Sequence, residues 1–194
     1  VLSEKPVGVE IGAAERMAEA ARKSGKVFAV NFQMRALPMI RKARQLVEAG
    51  EIGEIHRTLF MAPEFRSQAY YDSGSWRATW AGEGGGVLLN QAPHLMDVFC
   101  MLSGLPAKVT GHCSQRMHRI EVEDHVEAAL EYANGATGYF YASTCEMGQR
   151  FIEIAGDRGK LRLTGRDLEF WRYEPPITEF NRTGVQIYFQ LKDD

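Results

Sequence analysis

No run of apolar residues approaches the ~18–20 that a membrane span requires. Neither charge sign dominates: 23 Lys and Arg stand against 25 Asp and Glu, interspersed, for a net charge of −2. That balance argues against a nucleic-acid or membrane-surface partner. Cysteine is scarce. Cys100, Cys113 and Cys145 are odd in number and widely spaced, with no Cys-x-x-Cys pair, so no disulfide framework is expected and a reducing, cytoplasmic location fits best. Gly-x-Gly-x-x-Gly, Gly-x-Ser-x-Gly and P-loop patterns are all missing, which removes the usual phosphate cradles and the serine-hydrolase elbow. The chain opens Val1-Leu2-Ser3-Glu4-Lys5-Pro6 with neither an initiator Met nor a signal peptide; it reads as part of a longer protein. What is present suits a folded domain: 194 residues, 45% apolar and 10% aromatic, enough to bury roughly 70% of the unfolded surface.

The first third alternates strand and helix. Val1–Ser3 reads as the end of a strand and Val9–Ser24 as a helix, with Ile11, Ala14, Met17, Ala18 and Ala21 on one face and Arg22 and Lys23 before a Gly25 stop. Val27–Val30 is a short apolar run of the kind buried on both faces in a parallel sheet. A helix follows from Pro38, with Leu37, Ile40, Ala43, Leu46 and Val47 inward, ending at Gly50. Beyond it, Ile52–Ala62 predicts a strand, 64–83 a long loop, and the glycine run a lead into a helix ending near Ser103-Gly104. From Ala107 strand follows strand: 108–115, 126–132, 137–144, 151–155, 160–163, 168–173 and 185–191, with hairpin or turn signals at Asn134-Gly135 and 156–159. The expected architecture is α+β: one large, mostly antiparallel sheet with helices on one face, preceded by the last β-α-β-α elements of a Rossmann-like domain.

Candidate chemistry clusters at three places. Pro6 holds Lys5 in extended geometry next to a helix start, and a lysine at a strand's carboxyl end can polarise a ligand oxygen; on spacing alone, a surface lysine beside a proline is the plainer reading. Asn90, His94 and Asp97 share a face at helical spacing, with Pro93 starting or kinking the helix between them. His94 serves equally well as a general acid/base or as a histidine bonded within its own helix pair. Trp76, Arg77 and Trp80 can stack on a flat ligand and clamp an anion, although a tryptophan anchoring its loop to the core is commoner. His112, Cys113, His118, Asp124 and His125 lack metal-ligand spacing, and strand alternation sends adjacent pairs to opposite faces, so no metal is expected.

In this order the motifs resemble the glucose–fructose oxidoreductase / inositol dehydrogenase (Gfo/Idh/MocA) family. They are Glu4-Lys5-Pro6, Gln33-Met34-Arg35 with Pro38, Glu48-Ala49-Gly50-Glu51-Ile52-Gly53, Trp76-Arg77, and Gly84-Gly85-Gly86 leading to Asn90-x-x-x-His94-x-x-Asp97. Val122-Glu123-Asp124, the Asn134-Gly135 hairpin and 154–159 complete the set, which runs from residue 4 to about 165. The resemblance implies a Rossmann domain that binds NAD or NADP, with the main nucleotide site outside this chain, and a C-terminal domain that binds substrate. It divides the chain into a Rossmann remnant, 1–34, and a substrate-binding and oligomerisation domain, 35–194. It further implies that Lys5 and His94 are catalytic, that Asn90, His94 and Asp97 meet substrate, and that Glu4, Lys5, Gln33, Trp76 and Arg77 contact the cofactor. The implied reaction is hydride transfer at a sugar- or polyol-like CH–OH group, in a homo-oligomer, most simply a twofold dimer. Many relatives carry aspartate where Asn90 stands. An amide cannot act as a base, which keeps a non-catalytic binding or assembly module as the alternative.

Overall fold

The structure, a computed structural model, describes residues 1–184 and 186–188. The strand expected over Val185–Leu191 lies largely outside the described residues. Among them no helix is long and apolar enough to cross a membrane.

Two sheets organise the chain. The smaller pairs β1 (Leu2–Ser3) in parallel with β2 (Ala29–Val30), linked through α1 (Ile11–Ser24). Helix α1 closes as expected at Gly25, whose φ of 61° suits a residue without a Cβ, with Arg22 and Lys23 near its negative end. One expectation fails here: only Ala29 and Val30 of the 27–30 run pair, and Val27 is 82% exposed. No α1 residue is buried either, and Ile11 is 79% exposed. The physical reason is shared: β2 has one neighbour in a sheet two strands wide, so nothing among the described residues covers its outer side. A 3₁₀ turn (Gln33–Ala36) then leads into α2 (Pro38–Glu48), which starts on proline and buries Ile40 and Ala43.

The larger sheet has seven strands: β3 (Ile55–Pro63), β4 (Lys108–Ser114), β5 (His125–Glu131), β6 (Thr137–Ser143), β7 (Phe151–Gly156), β8 (Gly159–Thr164) and β9 (Asp167–Arg172). Their order is β4-β5-β6-β3-β7-β8-β9, and every neighbouring pair is antiparallel except β3 with β6. The expected mostly antiparallel α+β fold is therefore present, with one addition. Neighbours in sequence pair within β4–β6 and within β7–β9, but β3, the earliest of the seven, wedges between the two halves. Asn134-Gly135 turns β5 into β6, with φ 86° at Gly135 and the Asn134 amide donating to the Ile55 carbonyl at 3.0 Å.

Alternation divides the sheet's faces. Thr58, Phe60 and Ala62 of β3, Ile152 and Ile154 of β7, and Leu161 and Leu163 of β8 point to one side and are buried. There they join Val98, Phe99 and Leu102 of α4 (Pro93–Ser103) and Ile40 of α2. Phe60 anchors this layer, stacked on Phe140 at 4.3 Å and edge-on to Phe99 at 5.6 Å. The opposite face carries Leu59, Met61, Tyr139, Tyr141 and Phe151. Two short helices escape the sequence reading: α3 (Gln68–Tyr71), inside the stretch expected to be loop, and α5 (Ile177–Thr183).

Candidate functional site

The glycine run is a junction built for close approach. A Cβ on Gly86 would sit 1.8 Å from the Glu123 carbonyl oxygen, so no side chain fits there. The Val87 N–H donates to that same carbonyl at 3.0 Å, while the Glu123 carboxylate accepts from the Gly86 and Leu88 N–H groups at 3.0 and 3.1 Å. The turn so held ends at Asn90, and α4 begins at Pro93, which places His94 in its first turn.

Lys5, at the carboxyl end of β1, reaches across and donates to the backbone carbonyl of Asn90. Burial pulls the Lys5 pKa down, against the opposing charges of Glu4, Glu83 and Glu64. The Asn90 side-chain amide donates to Glu83 and, at 3.3 Å, to the Tyr70 hydroxyl. Glu4 accepts from the Asn31 amide at 2.7 Å, tying the ends of β1 and β2 together. His94 packs edge-on to Phe32 at 5.9 Å. Burial first, and the Lys5 charge second, push its pKa below 6.5, against weaker pulls from Glu4 and Asp97. The imidazole is thus held neutral near neutral pH. Its Nδ1 is buried and has no hydrogen-bond partner among the described residues, and the same is true of Gln91 Oε1.

His94 and Gln91 line a cavity of about 290 Å³ together with Gln33, Tyr70, Asn90 and Ile40. Glu64, Arg66 and Arg150 also line it. A second hollow, about 280 Å³, is lined by Lys5, Pro6, Trp76, Glu83 and Asn90. Asn90 belongs to both, so the structure brings Lys5, Asn90 and His94 into one place, with Gln33 and Trp76 at its walls. Arg77 and Asp97 line neither hollow. The Arg77 guanidinium lies over the Trp76 and Tyr70 rings at 4.6 and 4.7 Å and donates to the Tyr70 hydroxyl at 3.1 Å. Asp97 takes both arms of Arg35, the Nε contact measuring 2.7 Å, and so fastens the 3₁₀ turn to α4.

Tyr70, Glu83, Gln91, Glu64, Arg66 and Arg150 escaped the sequence reading. Glu64 and Arg66 carried a faint signal, because they sit two apart just past β3. Tyr70 lies on a one-turn helix that no periodicity reveals, and Arg150 in a connecting stretch.

The histidines and acids expected not to form a metal site divide. His112 is exposed on β4, whereas His118, Asp124 and Cys145 bring ligand-type atoms within 4.8 Å of one another. Their donors are already engaged. Asp124 accepts the N–H groups of Arg116, Met117 and His118 at 2.7, 3.0 and 2.9 Å, as well as His118 Nδ1 at 2.9 Å. Burial alone would raise the Asp124 pKa; these bonds outweigh it and bring it down to about 2. His118 Nε2 meets the Arg66 carbonyl at 2.7 Å. This cluster staples the 116–118 loop to the segment that carries Arg66.

Comparison with known proteins identifies the scaffold. A family model described as the GFO/IDH/MocA C-terminal domain matches residues 40–162. The chain belongs to the GFO/IDH/MocA family. It is 27% identical over 208 residues to trans-1,2-dihydrobenzene-1,2-diol dehydrogenase of Bos taurus, covering 99% of this chain and 59% of the relative. It is also 27% identical to 1,5-anhydro-D-fructose reductase of Ensifer adhaerens, covering 95% and 55%. The WlbA dehydrogenase of Bordetella pertussis, solved in complex with NADH and UDP-GlcNAcA, superposes with a TM-score of 0.83 at 29% identity, covering 89% of this chain and 55% of that one. The chain thus spans somewhat over half the length of these relatives, two of them named as dehydrogenases and one as a reductase.

Proposed function

We propose that this chain is the substrate-binding and catalytic part of an NAD(P)-dependent oxidoreductase that acts on a sugar- or polyol-like CH–OH group. One observation carries the reading: the half-buried His94, whose Nδ1 has no hydrogen-bond partner among the described residues, lines a cavity beside an anchored ammonium. Oxidising an alcohol removes a proton from oxygen and a hydride from carbon. His94 accepts the proton, and the Lys5 charge polarises the same oxygen toward its anionic form. In the reverse direction the imidazolium returns the proton. The side chains of Asn90, Gln91 and Tyr70 offer hydrogen bonds to neighbouring hydroxyls.

The residues present fit the nicotinamide end of the cofactor. Glu4, Lys5 and Gln33 lie where β1 and β2 end, the side on which parallel α/β units bind ligands, and Trp76 walls the adjoining hollow with Arg77 stacked on its ring. When bound, the nicotinamide supplies the hydride acceptor or donor. With no Gly-x-Gly-x-x-Gly in the sequence, we assign the pyrophosphate site to residues outside this chain, with 1–34 as the edge of the nucleotide-binding domain and 35–194 as the substrate domain. The relatives support this reading: two are dehydrogenases and one a reductase by name, and WlbA was solved with NADH bound. In this account Asp97 positions α4 through Arg35 and does not touch substrate. The partner we propose is a second copy of the chain, packed on the sheet face that carries Tyr139 and Leu59.

The test is a panel of sugars and polyols offered to the intact protein with NAD⁺ and NADP⁺, following nicotinamide absorbance. Reduction by at least one polyhydroxylated substrate is expected; no reduction across the panel, with the nucleotide shown to bind, contradicts the proposal.

A further inference from the structure

The cavity that holds His94 is not electrically symmetric. Two guanidinium groups, from Arg66 and Arg150, line it, and a single carboxylate, Glu64, lies between them. Arg150 donates to Glu64 Oε2 at 2.5 Å, and Arg66 donates to Glu64 Oε1 and to the Phe65 carbonyl. With His94 neutral, these residues leave the wall one positive charge in excess. Each guanidinium has five N–H donors, more than these bonds use, and planar forks of this kind match carboxylates. The same cavity is lined by Gln91 and His94, whose Oε1 and Nδ1 have no hydrogen-bond partner among the described residues and are free to turn to a ligand hydroxyl. Its volume of about 290 Å³ falls just below the ~300–1,000 Å³ range of drug-sized ligand sites, which limits it to a small ligand.

We infer that the substrate is a sugar acid: a polyhydroxylated unit of about six carbons bearing a carboxylate, with its hydroxyl end at His94, Gln91 and Asn90 and its carboxylate on Arg66 and Arg150. Arg66 is the better organised of the two. Its guanidinium lies over the Tyr70 ring at 5.3 Å, and its own backbone carbonyl is held by His118. Arg150, whose side chain is 53% exposed, is the rim group that can swing from Glu64 to a ligand. Glu64 is then an internal competitor that occupies the arginines until the substrate's carboxylate displaces it. Glu83, the other acid close to Asn90, is bonded to the Asn90 amide and to the Ala78 N–H, and does not cancel this charge.

This inference rests on the sugar-dehydrogenase reading above, and the experiment separates the two. Calorimetric binding of D-glucuronate, D-glucose and D-glucose 6-phosphate is compared on the intact protein and on its Arg150→Gln, Arg66→Gln and Glu64→Gln variants, each checked for an unchanged thermal melt. Glucuronate is expected to bind at least about tenfold more tightly than glucose, as a charge-assisted pair allows. Either arginine substitution removes most of that preference, bringing glucuronate affinity toward that of glucose. Glu64→Gln, by releasing both guanidiniums, tightens glucuronate binding several-fold, a gain that a merely structural ion pair would not produce. Equal binding of glucose and glucuronate, with no response to the substitutions, overturns the sugar-acid inference while leaving a sugar site standing. Preference for the phosphate ester over glucuronate overturns the carboxylate assignment. Absence of binding for all three overturns the saccharide reading itself.

Discussion

At the scale of single residues, two groups carry the account. The imidazole of His94 is driven toward its neutral form by burial and by the Lys5 charge, and Lys5 is itself held in place by a backbone carbonyl rather than by an acid. The signs give a direct prediction. Histidine titration followed by NMR finds His94 below the ordinary 6.5. Lys5→Met, which deletes a positive neighbour, moves it upward, and a value at or above 6.5 in the unsubstituted chain contradicts this electrostatic picture. His94 and Lys5 were legible as candidates because a proline and a helical spacing drew attention to each. Their meeting was not legible. Eighty-five positions separate Lys5 from Asn90, and no local pattern reports a contact that a separate strand and a separate turn create between them.

Among elements, the sequence patterns that depend on local geometry survive in the structure. Six expected strands from 108 to 173 appear within a residue or two of their expected bounds, because period-two alternation and the Asn134-Gly135 turn are read at short range. The central position of β3 was not readable, since it depends on which edges remain open once two meanders have formed. Loop staples were equally hidden, and Asp124 is the strongest of them. Its folded carboxyl lies at about 2, below the ordinary 3.8, so the stability it contributes is present in full above pH 4 and fades as pH falls toward 2. Asp124→Asn leaves His118 and three N–H groups short of a carboxylate and should cost about 3 kcal/mol at neutral pH, measured by urea unfolding, with the difference from wild type shrinking in acid. A loss that stays constant from neutral to acid pH would show that packing, not charge, holds this loop.

Taken whole, the molecule is a sheet with two unlike faces. One is closed by α2 and α4 and carries the core; the other displays Leu59, Met61, Tyr139, Tyr141 and Phe151 in register across three strands. Apolar area of that kind on a central strand pair is what a twofold partner would cover. Light scattering at ~10⁻⁵ M, where a standard interface holds, should give a dimer, and Leu59→Arg should give a monomer with an unchanged circular dichroism spectrum; a monomeric wild type removes the proposed interface. The site lies apart from this face, on the helix side, where β1, the 3₁₀ turn and the start of α4 converge on Asn90 and His94. The claim that this convergence performs alcohol oxidation is tested most directly by the rate of hydride transfer in the intact protein, wild type against His94→Ala, with nucleotide binding measured alongside. His94→Ala is expected to lose about 10²–10⁴ in kcat with nucleotide affinity retained, and a variant that turns over at the wild-type rate would contradict a catalytic His94.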